Sequence, residues 1–199
     1  MSDIGVTIKS IRKIMRKDKG TYGEVQRLEQ IGWMFFLKIF DDQEQEMELI
    51  RDNYKSPLPP ELRWSSWATD EEGITGDELL GFVNNTLLPN LKNLENVRNP
   101  IIKLIKGAFE DATNYMKNGT QLRQVVNKVN EIDFNSSNDR HLFGDIYEKL
   151  LAGLQSAGDA GEFYTPRAVT QFIVEQINPD LNEKILDPAC GTGGFLINV

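Results

Sequence analysis

A glycine-rich turn near residue 190 carries the residues best placed for chemistry. Residues 184–196 are KILDPACGTGGFL, which predicts a short buried strand at Ile185 and Leu186, a tight turn and the start of a helix. The turn contains Gly191, Gly193 and Gly194, which let the backbone approach a ligand closely. The free amide groups that follow such a turn suit an anion. The Gly-x-Gly-Gly spacing matches neither the dinucleotide fingerprint nor the phosphate-binding loop, so a tight turn without a ligand is the alternative.

A second motif, GEFYTPR, occupies residues 161–167. Thr165 followed by Pro166 predicts a capped helix start, and the helix after it is expected to direct four apolar side chains inward: Val169, Phe172, Ile173 and Ile177. Together, EFYTP and DPACGTGGFL resemble the S-adenosylmethionine site of amino-group DNA methyltransferases. In particular they resemble the modification subunits of type I restriction-modification systems, in which GDIYEKLL of residues 144–151 also recurs in form. The resemblance is close over residues 141–196 and loose over most of the remaining chain.

The resemblance implies S-adenosylmethionine as the cofactor. Backbone amides of the glycine turn would donate hydrogen bonds to its carboxylate, and Asp187 would accept a hydrogen bond from its ammonium group. Aromatic surface would lie near its sulfonium. The implied cofactor-binding residues are Glu162, Phe163, Tyr164, Thr165, Pro166, Arg167, Asp187, Pro188, Ala189, Gly191, Thr192, Gly193 and Gly194. For the two aromatic residues, simple core packing is the alternative. Cys190 is interpreted as a small residue that fits the turn, not as a nucleophile.

The resemblance also implies N6-adenine methylation of double-stranded DNA, with a DNA-specificity subunit and a restriction subunit as partners. Such enzymes bind the target amine with an Asn/Asp/Ser-Pro-Pro-aromatic motif. Leu58-Pro59-Pro60-Glu61 has the two prolines but lacks both the polar residue before them and the aromatic residue after them. No catalytic residue is therefore assigned, and the motif is expected beyond Val199. These residues alone are therefore expected to be inactive and to bind the cofactor weakly at most. The alternatives are a helical assembly module with a non-catalytic methyltransferase-like fold, and a related RNA or protein methyltransferase.

Composition limits how the chain could hold nucleic acid. The 199 residues have a formal net charge of -8 and a mean hydropathy of -0.40, so bulk positive charge is excluded as the means of binding DNA. One cysteine and one histidine exclude an intramolecular disulfide and a structural zinc site. No apolar run is long enough to span a membrane, and no secretory signal is visible. A cytoplasmic protein without a membrane partner is expected.

A local basic face is predicted on the first helix. Ile4, Ile8, Ile11 and Met15 fall at helical spacing, with Ser2 or Asp3 as a cap. The opposite face carries Lys9, Arg12, Lys13, Arg16, Lys17 and Lys19. A solvated surface is one interpretation, and a contact for DNA phosphate or for an acidic partner is the other.

The remaining patterns predict helices. A long helix is expected from about Tyr22 to about Tyr54, opened by a Thr21–Glu24 capping box and stopped by the prolines of residues 57–60. It is apolar nearly all round between Ile31 and Phe40, so its middle is expected in the core of a helical domain. Trp64 and Trp67 are expected to fill a gap between helices, although stacking on bases is the alternative. Further helices are expected over residues 77–88, from Asn99-Pro100 onward, over 121–129 and over 141–151.

The sequence therefore predicts a mainly α protein. A helical N-terminal domain, residues 1–138, would be followed by the truncated start of an α/β Rossmann-like S-adenosylmethionine-dependent methyltransferase fold, residues 139–199. Because a lone strand lacks neighbours, residues 183–196 are expected to pack loosely or to pair with another molecule.

Overall fold

The computed structural model describes residues 4–95, 98–134, 165, 167–180, 183–191 and 193–199. The chain forms two compact units, residues 1–150 and 151–199. We call the described residues of the first the helical unit and those of the second the C-terminal unit. The predicted boundary at 138/139 and the predicted helix over 141–151 lie outside the described residues.

The helical unit begins with two helices that meet at a corner. Helix α1 spans Ile4–Met15 and helix α2 spans Glu24–Ile50. Ile8, Ile11 and Met15 of α1 are buried, as their spacing predicted. Helix α2 is shorter than predicted at both ends, because Gly23 and Arg51 already have extended backbones.

The predicted capping box at the start of α2 is wrong. Gly23 is the N-cap residue and has no side-chain cap bond, and the Thr21 hydroxyl donates instead to the Met15 carbonyl at 2.6 Å. Glu24 pairs with arginine side chains, because these charged donors lie within reach of its carboxylate.

Shorter helices complete the helical unit. A 3-10 turn, Pro60–Leu62, leads into α3, Trp64–Trp67. Helix α4, Gly76–Phe82, runs through a π-helical turn, Val83–Leu87, into α5, Leu88–Lys92. Helix α6 spans Pro100–Phe109 and begins at the predicted Asn99-Pro100, with the Asn99 side chain as its cap. Helix α7 spans Gly119–Asn130.

The π-helical turn corrects the single regular helix predicted over residues 77–88. Pro89 has no amide hydrogen for the carbonyl four residues before it, and its ring crowds that carbonyl. The helix widens by one residue in the turn immediately before this proline, which is where such a defect is expected.

One apolar core holds these helices together. The middle of α2 lies at its centre, because Ile31, Met34, Phe35 and Leu37 are all buried, as predicted for an all-round apolar segment. The other helices contribute Ile11, Met15, Trp64, Leu79, Leu87, Leu91, Ile105, Phe109, Leu122, Val125, Val126 and Val129. Of the helices in the described residues, none is long and apolar enough to cross a membrane.

The two tryptophans of α3 are buried, which confirms packing between helices over base stacking. Their rings contact edge to face at 5.0 Å between centroids, and the Trp64 indole donates to Asn130 Oδ1 at 2.7 Å. Below them, buried Arg123 of α7 donates to four main-chain carbonyl oxygens of the loop, those of Trp67, Ala68, Asp70 and Ile74. Burial lowers the pKa of Arg123.

A buried carboxylate joins the beginning of the helical unit to its end. Asp18 accepts hydrogen bonds from the amides of Gly20, Lys117 and Asn118 at 2.7 to 3.1 Å. The backbones approach so closely that a Cβ on Gly20 would lie 1.7 Å from the Tyr115 carbonyl oxygen. Asp18 thereby fixes the α1–α2 corner against the start of α7.

The C-terminal unit contains helix α8, Arg167–Ile177, which ends where Asn178 adopts φ of 46°. The predicted inward face of this helix is wrong in part. Val169, Phe172 and Ile177 are exposed, whereas Thr170 and Val174 are buried. Few other described residues in this unit offer an apolar surface to cover that face.

The predicted buried strand at Ile185 and Leu186 does not form in the described residues. Both side chains are exposed, Leu186 to 85 %. A strand requires a neighbouring strand for its main-chain hydrogen bonds, and the described part of this unit supplies none. The Rossmann-like start of the fold stays a prediction.

Candidate functional site

The glycine turn of the C-terminal unit is a tight, solvent-accessible loop. The Cys190 carbonyl accepts a hydrogen bond from the Gly193 amide at 2.7 Å, and the Ile197 amide donates to the Gly193 carbonyl at 2.9 Å. Gly191 and Gly193 have φ of 52° and 75°, a region that side-chain-bearing residues rarely adopt. The backbone path thus favours glycine at these two positions, in agreement with the tight turn that the sequence predicts.

Asp187 lies at the entrance to this loop. One of its carboxylate oxygens accepts a hydrogen bond, and the other has no hydrogen-bond partner. Its Oδ1 accepts a hydrogen bond from the Ala189 amide at 3.1 Å, which fixes the side chain over the turn. Its Oδ2 is buried and has no hydrogen-bond partner. A buried carboxylate oxygen in that state is costly, so this atom fits a ligand that brings a donor, such as an ammonium group.

Two residues that the motifs did not identify fasten the loop to helix α8. The Asn198 side-chain amide donates to the Gly194 carbonyl at 2.7 Å and to the Thr170 hydroxyl at 3.2 Å. A Cβ on Gly194 would lie 3.5 Å from the Thr170 methyl group, an ordinary contact. The signal in the sequence was a threonine on the apolar side of a helix, where a hydroxyl needs a partner.

An open, mostly apolar cavity of about 580 Å³ lies beside the loop. Its wall includes Val174 of α8, Ile185, Leu186, Asp187 and Phe195. Glu183 and Lys184 also line the cavity. The volume is within the range of small-molecule sites, and a mostly apolar wall with a few charged groups is typical of them.

The described residues place only part of the predicted cofactor site. Asp187, Pro188, Ala189, Gly191, Gly193 and Gly194 share the loop just described. Thr165 is exposed, and Arg167 begins α8. Glu162, Phe163, Tyr164, Pro166 and Thr192 lie outside the described residues. Cys190 is exposed, and its sulfur lies 3.8 Å from the Gly191 carbonyl oxygen.

The predicted basic face of α1 divides into free and paired side chains. Lys9 and Lys13 are exposed. Arg12 Nη2 lies 2.6 Å from Glu24 Oε2, and Arg16 Nη2 lies 3.3 Å from Glu24 Oε1. Sequence reasoning missed this pairing, because Glu24 begins α2, whereas Arg12 lies on α1 and Arg16 directly follows α1.

Arg27 completes the group around Glu24. Its Nη2 lies 2.9 Å from Glu24 Oε1, and its Nη1 donates to the Thr21 carbonyl at 2.5 Å. Burial alone would raise the pKa of Glu24, but the hydrogen bonds and charges of Arg27 and Arg12 outweigh burial and lower the pKa to about 2. Glu24 is therefore ionised at every ordinary pH.

Both the N-terminal and the C-terminal part of the chain match known protein families. Residues 4–129 match the family described as HsdM N-terminal domain, and residues 138–199 match the family described as N-6 DNA Methylase. The first match alone covers more than half of the chain.

Individual relatives point the same way. The chain is 63 % identical over 195 residues to the type I restriction enzyme EcoEI methylase subunit of Escherichia coli, covering 97 % of this chain and 40 % of that protein. A modification subunit attributed to a type I restriction enzyme of Vibrio vulnificus superposes with a TM-score of 0.87 at 43 % identity, over 98 % of this chain and 44 % of that one.

A third similar chain comes from a structural study of complex assembly and conformational transition in the type I R-M system. It gives a TM-score of 0.79 at 36 % identity, over 98 % of this chain and 39 % of that chain. The chain thus spans less than half the length of each of these three relatives. Since a family match covers most of the helical unit and the relatives are methylase or modification subunits, the chain belongs to the methylase subunits of type I restriction-modification systems and carries their N-terminal domain.

Proposed function

We propose that this chain is part of a DNA methyltransferase that transfers a methyl group from S-adenosylmethionine to N6 of adenine. The observation that carries the proposal is the unpartnered Asp187 Oδ2 at the entrance to a left-handed glycine turn, in a chain of this family. When bound, S-adenosylmethionine supplies the methyl group, and the protein supplies binding and orientation.

The residues of the loop fit the cofactor by their chemistry. Asp187 Oδ2 would accept a hydrogen bond from the ammonium group, and the glycine turn would offer main-chain amides to the carboxylate. The apolar wall beside Asp187 would receive less polar parts of the molecule. Thr170 and Asn198 would act indirectly, by holding Gly194 and with it the loop in place.

The target base requires groups that residues 1–199 do not contain. They include no Asn/Asp/Ser-Pro-Pro-aromatic tetrapeptide for the adenine amine. These residues would therefore bind the cofactor without transferring its methyl group. Because the relatives are methylase subunits, the alternative of a non-catalytic assembly module is not favoured.

The helical unit would contribute to holding DNA in the assembled complex, together with a DNA-specificity subunit and a restriction subunit. The exposed lysines of α1, Lys9 and Lys13, offer local positive charge on a chain with a net charge of -8. One of the similar structures comes from a study of complex assembly in the type I R-M system, which supports a multi-subunit setting.

Replacing Asp187 tests the cofactor site. In the full-length protein, Asp187→Asn should weaken S-adenosylmethionine binding by about 10- to 100-fold, because a charge-assisted hydrogen bond contributes about 1.5–3 kcal/mol. Isothermal titration calorimetry measures the change. Asp180→Asn is the matched control, since Asp180 is an exposed carboxylate of the same unit. Equal affinity of the Asp187 variant and the control would refute the assignment.

A further inference from the structure

The arginine cluster around Glu24 contains more positive charge than its single carboxylate neutralises. Arg12, Arg16 and Arg27 all place Nη2 within 3.3 Å of the Glu24 carboxylate. The side chains are 19 %, 61 % and 8 % exposed, and that of Glu24 is 15 % exposed. The cluster is thus buried on the Arg27 side and open to solvent on the Arg16 side.

The surrounding charges do not compensate the excess. Residues 1–30 contain seven basic and four acidic side chains, in a chain whose net charge is -8. Of the other acidic residues among 1–30 that the structure describes, Asp18 is bound to main-chain amides and Glu29 accepts a hydrogen bond from the Tyr115 hydroxyl. Glu24 is the carboxylate that the structure pairs with the arginines of α1.

Arg12 of α1 and Arg16, which directly follows α1, have guanidinium donors that Glu24 does not use. Each guanidinium carries about five N–H donors, and Arg12 and Arg16 each contact Glu24 through one nitrogen. The Arg16 amide donates to the Arg12 carbonyl at 3.0 Å, so the last turn of α1 continues through Arg16. Side chains at i and i+4 of such a turn lie on one face and can present their guanidinium groups to the same anion. A phosphate accepts such forks bidentately, which a carboxylate already held by Arg27 cannot match.

Arg27 differs from the other two arginines. It follows Glu24 by three residues on the same helix, and the Thr21 carbonyl holds its Nη1. It can therefore keep the Glu24 carboxylate when the α1 arginines release it.

We propose that a backbone phosphate of DNA binds the guanidinium groups of Arg12 and Arg16 in competition with the Glu24 carboxylate, which remains paired with Arg27. Glu24 is then an internal anion that lowers the affinity of the helical unit for DNA. The inference rests on the proposed contact between α1 and DNA, and it adds the phosphate site and its competitor.

The test removes the negative charge of Glu24 and retains the shape of its side chain. Glu24→Gln in the full-length protein should bind a non-specific DNA duplex about 3- to 10-fold more tightly at fixed salt, because the α1 arginines become free for phosphate. Fluorescence anisotropy of a labelled duplex gives the affinity. Glu46→Gln is the matched control, an exposed carboxylate of α2 with the same charge change. Equal affinities of the two variants would overturn the proposal.

A second measurement keeps the proposal testable if Glu24→Gln is less stable. Inorganic phosphate, compared with chloride at equal ionic strength, should raise the thermal midpoint of Glu24→Gln more than that of wild type or Glu46→Gln. Such a rise together with tighter DNA binding supports the proposal. A rise without tighter DNA binding would indicate a site for free phosphate and would overturn the DNA assignment.

A third variant separates this inference from the DNA contact itself. Lys9→Glu with Lys13→Glu reverses exposed charges of α1 that lie outside the arginine cluster. If this double variant binds DNA as wild type does, the contact of α1 with DNA is wrong. If it binds more weakly while Glu24→Gln matches its control, the contact stands and the competition is wrong.

Discussion

Helices α7 and α8 have nearly equal lengths, twelve and eleven residues, and very different surroundings. Helix α7 buries Leu122, Val125, Val126 and Val129 in the core of the helical unit. Helix α8 buries Thr170 and Val174 and leaves Phe172 and Ile177 exposed. The difference shows that amphipathic spacing states which face could be buried, whereas burial depends on whether neighbouring elements cover that face.

Amide hydrogen exchange of the 199-residue chain should show the largest difference between these two helices. Amides of α7 should exchange about 100-fold or more slowly than those of α8, because opening α7 exposes core side chains and opening α8 exposes few. Mass spectrometry of peptides from the two helices measures both rates in one sample. Similar protection in both helices would contradict the comparison.

The stability of the helical unit should also depend on the buried guanidinium of Arg123. Arg123→Met should lower the free energy of unfolding by about 2–4 kcal/mol, because main-chain carbonyls of the loop after α3 lose their donors. Urea unfolding followed by tryptophan fluorescence reports on this unit, since all three tryptophans, Trp33, Trp64 and Trp67, belong to it.

The matched control lies on the same helix. Lys128→Met removes a surface cation paired with Glu131 and should change the free energy of unfolding by less than about 0.5 kcal/mol. If both substitutions had the same small effect, the Arg123 hydrogen bonds would contribute little to stability.

Glu24 should also make a smaller contribution to stability in acid, which solvent screening of its partly exposed ion pairs reduces. The pKa of Glu24 is about 2 in the folded state and 4.5 in the reference state, so its contribution is complete above pH 4.5 and is lost as the pH falls toward 2. Urea unfolding at pH 5 and pH 3 should therefore show a larger loss for wild type than for Glu24→Gln. Glu46→Gln should behave as wild type. A Glu24→Gln variant with the wild-type pH dependence would exclude the carboxylate as the cause.

Sequence patterns predicted those features that depend on neighbouring residues in the chain. The buried face of α1, the start of α6 at Asn99-Pro100 and the apolar middle of α2 follow from spacing and side-chain type. The tight turn near residue 190 follows in the same way, because glycine favours the positive φ angles that the backbone adopts there.

Sequence patterns did not predict those contacts in which a side chain binds a partner far away in the chain. Thr21 and Glu24 have the spacing of a capping box, but the arginines of α1 bind Glu24. Arg123 contacts carbonyl groups 49 to 56 residues away, which no local pattern reveals. The predicted strand at Ile185 does not form, because a strand needs neighbouring strands for its main-chain hydrogen bonds. Residues that favour a strand cannot supply those hydrogen bonds by themselves.

The Asp18 hydrogen bonds have a consequence for the order of events during synthesis. They join residues separated by 99 and 100 positions, so the α1–α2 corner cannot be locked until Asn118 has left the ribosome. At about 5–20 residues per second, α1 waits about 5–20 s after its own emergence. During that interval its apolar face is available to chaperones, and a translational pause before residue 118 would prolong the exposure.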